Sequence, residues 1–137
     1  MVKGRVIVAG AARGELLRLS APISFWGGVD PVAGLIADPR HPQHGVSIAG
    51  RVLAIPSTVG SSSSSAIMLE LIREKKAPAA LLLGSADAIV ALGVVVAGEL
   101  GLPTVPVLEV SWEEVLRLPE GPVEVGDDGT IRTAETP

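Results

Sequence analysis

Apolar residues in this chain fall into two rhythms. Short uninterrupted runs, Val52-Leu53-Ala54-Ile55 and Ala79-Ala80-Leu81-Leu82-Leu83, predict strands buried on both faces. Between and after them lie two stretches of helical spacing. In Ala66–Lys76, Ile67, Met68, Leu71 and Ile72 share one face, while Glu70, Arg73, Glu74 and Lys75 are polar. Lys75 and Lys76 suit the negative end of that helix, and Pro78 bars its continuation. Asp87 is placed to cap a second helix through Val90, Val94, Ala97 and Leu100, which Gly101 and Pro103 end. Val105-Pro106-Val107-Leu108 is a third strand, and its proline suits an edge or an irregular strand.

The ends of the chain are β-rich. Arg5–Ala9 predicts a strand closed by Gly10. Glu15–Leu19 predicts the next, extended past Pro22 through Ala21–Phe25, with Gly14 in the hairpin turn between the two. Trp26-Gly27-Gly28-Val29-Asp30-Pro31 reads as an ordered turn, Gly34–Ala37 as a short strand, and Asp38–Gly45 as an irregular loop with two prolines. Ser111-Trp112-Glu113-Glu114 has the form of a capping box for a short helix. Val123–Val125 and Thr130–Arg132 flank Asp127-Asp128-Gly129, a hairpin signal, and Ala134–Pro137 reads as a frayed tail. The fold class is therefore α/β: barrel-like, β-rich ends around a β-α-β-α-β core with a partly parallel sheet. The reading is a single domain over 1–137, without internal repeats.

Composition narrows the function classes. A chain of 137 residues, 47% of them hydrophobic, can bury a core, and with 2% aromatics that core is built from Val, Leu, Ile and Ala. A net charge of −4 argues against a nucleic-acid partner. The absence of cysteine excludes disulfides and any Cys-ligated zinc or iron–sulfur cluster held by this chain alone. No secretory signal or bilayer-spanning run is present, so no membrane partner is expected and the default location is the cytoplasm.

The chemistry-bearing stretch is Pro56-Ser57-Thr58-Val59-Gly60-Ser61-Ser62-Ser63-Ser64-Ser65. It joins a buried strand to a helix start, where unpaired N–H groups and the positive end of the dipole favour anions. The competing reading is a flexible Ser-rich linker. Serine is a weak base unless activated. His41 and His44 are candidate bases, with Asp30 or Asp38 as orienters, but the Gly-x-Ser-x-Gly elbow is absent. His41-x-x-His44 lacks a third metal ligand, and both histidines read as surface loop residues. Gly60 allows close backbone approach to a ligand, yet no lysine follows to make a Walker motif. Trp26 and Trp112 read as packing residues, and Glu113, Glu120, Glu124, Asp127 and Asp128 as a solvated face.

Several stretches together resemble the swivel domain of the aconitase X family, over nearly the whole chain. They are Ser24-Phe25-Trp26-Gly27-Gly28-Val29-Asp30-Pro31; His41-Pro42-x-x-Gly45-x-Ser47-x-x-Gly50-x-Val52-Leu53; Pro56 with Gly60–Ser65; Ala77–Ala80; and Gly101–Val107. The resemblance implies a swivelling β/β/α domain that closes over an iron–sulfur cluster, of the 4Fe-4S type, carried by a separate large catalytic subunit. It implies one half of a heterodimeric hydro-lyase. The substrate class is a small phosphorylated hydroxy acid: (R)-5-phosphomevalonate, dehydrated to trans-anhydromevalonate 5-phosphate in isoprenoid biosynthesis by the mevalonate pathway. Alternatives are a cis-3-hydroxy-L-proline or other hydroxy-acid dehydratase, and a non-catalytic anion-binding swivelling module. Aconitases carry a Gly-Ser-Ser-Arg loop whose serine removes a carbon-bound proton. Gly60-Ser61-Ser62-Ser63 resembles it, with Ser63 in place of the arginine. Ser62 is then the expected base, with Ser61 and Ser63 as register alternatives, and Gly60, Ser61, Ser63 and Ser64 as substrate-binding residues. The loops around Gly27-Gly28 and Arg40–Gly45, with Trp26 as anchor, are the expected partner contacts; the rival is a Trp26 buried in this chain's own core.

Overall fold

The computed structural model describes residues 1–134. In chain order its elements are β1 (Val2–Lys3), β2 (Arg5–Val8), β3 (Ala12–Arg18), the short kinked α1 (Phe25–Gly28), β4 (Val29–Asp30), β5 (Leu35–Ile36) and β6 (Val52–Ile55). There follow α2 (Ser64–Arg73), β7 (Ala80–Leu83), α3 (Ala88–Glu99), β8 (Val107–Glu109), α4 (Trp112–Arg117), β9 (Pro122–Val125) and β10 (Thr130–Thr133). No helix among the described residues is long and apolar enough to cross a membrane.

Two strands change partners part-way along, and this bends one sheet into two layers. β3 pairs antiparallel with β9 through Ala12–Glu15, then parallel with β6 through Leu16–Arg18. The N-terminal strand does the same across Gly4: Val2 and Lys3 pair with β10, whereas Arg5, Val6 and Val8 pair with β8. The sheet order β1-β10-β9-β3-β6-β7-β8-β2 therefore begins and ends on one segment of chain, which closes it into a barrel-like wrap. One layer is antiparallel (β1, β10, β9 and the start of β3). The other holds the parallel run β3-β6-β7-β8, with β2 antiparallel at its margin.

Side-chain alternation sorts the core between these layers. Leu16, Val52, Ala54, Ala80, Leu82 and Leu108 point into the barrel and meet Val123, Val125 and Ile131 from the antiparallel layer. Val115 and Leu118, at α4 and just beyond it, join this inner cluster, and the Arg18 guanidinium donates to both their carbonyls. The neighbours Leu17, Leu53, Ile55, Leu81 and Leu83 point outward, where Met68 and Leu71 of α2 and Val90 and Val94 of α3 cover them. The result is the β/β/α arrangement. Each fully buried Leu or Ile in it contributes about 1.5–3 kcal/mol from apolar area removed from water. α3 is apolar all round, so Leu92 and Val95 on its outer face are left exposed.

The strands and helices of the core follow the sequence pattern, and several local readings are corrected. β2 and β3 form no hairpin, and Gly14 is mid-strand rather than in a turn. It is glycine because a Cβ there would stand 2.5 Å from the Gly50 carbonyl oxygen, where β3 bends from one layer to the other. Ala21–Phe25 does not continue the strand; Phe25 opens α1 and only Ile23 makes an isolated bridge, to Thr58. Of the two readings for the third strand the irregular one holds: β8 lies between β7 and β2, its pairing with β2 shifts register between Val6 and Val8, and Pro106 sits before the strand and uses only its carbonyl, accepting from the Leu81 N–H at 2.9 Å. Ser111 is the N-cap of α4, but its hydroxyl makes no cap hydrogen bond; its carbonyl accepts from Glu114 and Val115 instead. At the C-terminus Ala134 is tied by its N–H to the Pro122 carbonyl at 2.9 Å, and the rest of the expected frayed tail lies outside the described residues.

α2 runs over 64–73 rather than 66–76, and its end carries a testable strain. The Lys76 N–H bonds the Leu71 carbonyl at 2.9 Å and the Lys75 N–H bonds that of Ile72 at 3.1 Å, a Schellman closure. That closure holds Lys75 at φ +61°, a left-handed conformation that penalises a side chain. Replacing Lys75 by Gly should therefore stabilise the fold by about 0.5–1 kcal/mol, read as a raised midpoint in urea unfolding. A lowered midpoint would contradict this account of the helix end.

Candidate active site

The parallel strands β3, β6, β7 and β8 all end at the same edge of the sheet, and crevices at such edges are where open α/β sheets bind ligands. β6 ends there at Ile55, and residues 56–63 carry the chain into α2. β7 ends there at Leu83, and α3 begins after Asp87. Two helix N-termini thus face one edge. The intervening loop is fixed rather than loose, which removes the linker reading. The Ile23 N–H donates to the Ser57 carbonyl at 3.4 Å and the Val59 N–H to that of Ile23 at 3.0 Å, bracketing Thr58. Thr58 Oγ1 donates to Asp87 Oδ2 at 2.5 Å. The other oxygen, Asp87 Oδ1, accepts from the N–H groups of Ile89 at 2.9 Å and Val90 at 3.1 Å. One carboxylate therefore caps α3 and holds the serine loop. The sequence signals the cap; it does not signal Thr58, because Thr58 and Asp87 are 29 residues apart and no local pattern pairs them.

Within the loop the serines differ. Ser61 is half-buried; its Oγ accepts from the Ser63 N–H at 3.3 Å and its carbonyl from the Ser64 N–H at 3.1 Å. Ser63 is the N-cap of α2, exposed, with no side-chain cap bond. Ser64, the first helical residue, is 1% exposed and presents no surface to a ligand in this conformation. Ser65 Oγ turns back to the Ser62 carbonyl at 3.4 Å. Ser62 itself is exposed, and its hydroxyl makes no hydrogen bond among the described residues. Gly60, also exposed, has nothing within 4 Å of where a Cβ would stand, so the backbone there is open to close approach.

The histidines play another part. His41, read from sequence as a surface residue, is 7% exposed. Its Nδ1 accepts from the Gln43 N–H at 3.0 Å, which leaves Nε2 to donate to the Ala21 carbonyl at 3.1 Å. Both ring nitrogens are engaged, so neither is left to accept a serine proton. Gln43 extends the same lock, donating to the Arg18 carbonyl at 2.7 Å and accepting from the Ser20 N–H at 2.9 Å. The 38–45 loop is thereby fixed to the end of β3. His44 is exposed. Asp30 accepts from the N–H groups of Val32 and Ala33. Asp38 accepts from the Arg40 N–H at 2.9 Å, and that bond first of all holds its carboxyl below the ordinary carboxylate range. Neither carboxylate orients a histidine, and no Ser–His–Asp triad forms among the described residues.

Trp26 is not a packing residue: it is 59% exposed, beside Ser24, Asp38 and Arg40 in a cleft of about 390 Å³. Trp112 does pack, half-buried against the barrel core. Among the described residues no three His, Cys, Asp or Glu side chains gather as metal ligands, and the chain has no cysteine. These residues do not fit an iron–sulfur cluster.

Comparison with known proteins places this geometry. The family model for the aconitase X swivel domain matches residues 1–133. The phosphomevalonate dehydratase small subunit of Methanothermobacter thermautotrophicus is 40% identical over 131 residues, covering 93% of this chain and 95% of that one. The cis-3-hydroxy-L-proline dehydratase of Pseudomonas aeruginosa is 47% identical over 107 residues, 78% of this chain; the match spans only 18% of that longer protein. The crystal structure of Thermococcus kodakaraensis aconitase X in its holo-form superposes with a TM-score of 0.85 at 36% identity, covering 98% of both chains.

The double role of Asp87 sets a prediction. Asp87→Ala removes the cap of α3 and the anchor of Thr58, and should destabilise the fold by about 1–2 kcal/mol. Amide exchange should speed up in residues 57–63 as well as in the first turn of α3. Faster exchange in α3 alone would show that the tie to Thr58 does not hold the loop.

Proposed function

The chain belongs to the aconitase X swivel-domain family, and from that footing we propose that it is the small subunit of a hydro-lyase, dehydrating (R)-5-phosphomevalonate to trans-anhydromevalonate 5-phosphate. The whole of it acts as one swivelling domain against a larger catalytic subunit. Support for phosphomevalonate comes from the relatives: several phosphomevalonate dehydratase small subunits match at 37–44% identity, with the hydroxyproline enzyme as the related alternative. The larger partner is where an iron–sulfur cluster of the 4Fe-4S type would be held, since this chain lacks its ligands.

The observation that carries the reading is the state of Ser62: an exposed, unpartnered hydroxyl just ahead of α2, at the edge where the parallel strands end. The reaction takes a proton from C2 of the substrate while the C3 hydroxyl departs, and the electrons of the C2–H bond become the C2=C3 bond. Ser62 Oγ is the proton acceptor. An ordinary serine is too weak a base, so its deprotonated form has to be stabilised. The positive end of the α2 dipole does this. Ser61 and Ser63 border that position, and with the open backbone at Gly60 they hold the substrate's carboxylate. Ser64 is enclosed and supports the turn.

Ser62→Ala in the assembled enzyme tests this. Turnover should fall by about 10²–10⁴-fold, the usual contribution of a positioned base. The melting temperature and subunit assembly should hold, because an exposed loop serine carries little packing. Parallel losses in all three would make the residue structural. Near-normal turnover would move the base elsewhere, to Ser63 or Ser61 if either alanine variant fails, and to the partner if neither does.

A further inference from the structure

We propose that Arg40 receives the phosphate of the substrate, and so sets the preference for a phosphorylated hydroxy acid. This rests on the dehydratase reading above. In phosphomevalonate the phosphorus lies five bonds from C2, roughly 6 Å away in an extended chain. A site that holds C2 against Ser62 therefore needs its phosphate-binding cation on a neighbouring element. The serine loop has none of its own.

The topology leaves few candidates. Arg73, Lys75 and Lys76 lie at the far end of α2, about 15 Å from its start. Arg51 precedes β6, at the opposite end of that strand from the loop. Arg18 is committed to the carbonyls of Val115 and Leu118. Arg5 does reach the serine-loop edge, but on β2, three strands from β6 and so about 14 Å across the sheet. Its Nε is also held at 3.0 Å by Glu109, itself fixed by the Ala86 N–H.

Arg40 is placed differently. Its loop is locked by His41 and Gln43 to the end of β3, the strand next to β6. It opens into the cleft with Ser24 and Trp26, and the neighbouring residue, Ile23, is hydrogen-bonded on both sides of Thr58. Its side chain is 90% exposed. The one polar contact its guanidinium makes among the described residues, Nε to Asp38 Oδ1 at 3.4 Å, leaves the two terminal nitrogens for a bidentate bond to phosphate. Asp38 serves chiefly to fix the loop, through the Arg40 N–H.

The test is Arg40→Gln in the complex with the large subunit, assayed on phosphomevalonate. KM should rise about 10–100-fold with kcat within about twofold, as for loss of a charge-assisted bond made equally in ground and transition states. Assembly and melting temperature should be unchanged, and Arg40→Lys should recover part of the loss. An unchanged KM would overturn the assignment while leaving the dehydratase reading intact. A fall in activity that tracks weaker assembly would make Arg40 a subunit contact instead. If the wild-type complex does not dehydrate phosphomevalonate, the reading fails and this inference with it.

Discussion

The structure depends on a crossing of backbone at Gly4 and Gly129. The N-terminal strand can serve both layers only if it passes very close to the β9–β10 turn. There the Gly4 N–H bonds the Gly129 carbonyl at 2.9 Å, and a Cβ on Gly129 would sit 2.6 Å from the Gly4 oxygen. Gly129 also stands at φ +87°, in the region that favours glycine. With this corner and the bend of β3 near Gly14 in place, one sheet becomes two layers, and the outer face of the parallel layer is left for α2 and α3. The aliphatic core follows from that geometry: a narrow barrel suits Val, Ala and Leu better than aromatics.

The same layering puts the chemistry in one place. Parallel strands deliver successive helices with their N-termini at a common edge, so the serine loop and the cap of α3 become neighbours and share Asp87. The 38–45 loop is brought to that edge by His41 and Gln43, which act through hydrogen bonds to main chain rather than as bases. On the reading proposed above, the one unengaged hydroxyl at this edge belongs to half of a dehydration site whose other half lies on a partner, in keeping with the small-subunit name of the matched relative.

Much of the fold was legible in sequence for a physical reason. β6 and β7 are buried on both faces and read as unbroken apolar runs, and α2, the cap at Asp87 and the β9–β10 turn carry local signals. The misreadings occur where the deciding contact is distant. Gly14 has the composition of a turn residue, but the constraint on it is the Gly50 carbonyl. His41 sits among prolines and looked solvated, while its two partners bury it. The serine loop and its helix were visible; which hydroxyl is free was not, because that depends on how Ser61 and Ser65 spend theirs. Trp26 shows the reverse error: a large apolar side chain implies burial, and this one stays in the open beside Arg40.

The central claim is that this chain supplies one side of a shared active site. The most direct measurement is reconstitution: purify this chain and its large subunit separately, then follow phosphomevalonate dehydration as one is titrated into the other. Neither chain alone should turn over substrate, and activity should rise with added small subunit and saturate at a fixed ratio. Full turnover by the large subunit alone, or by this chain alone, would contradict the account.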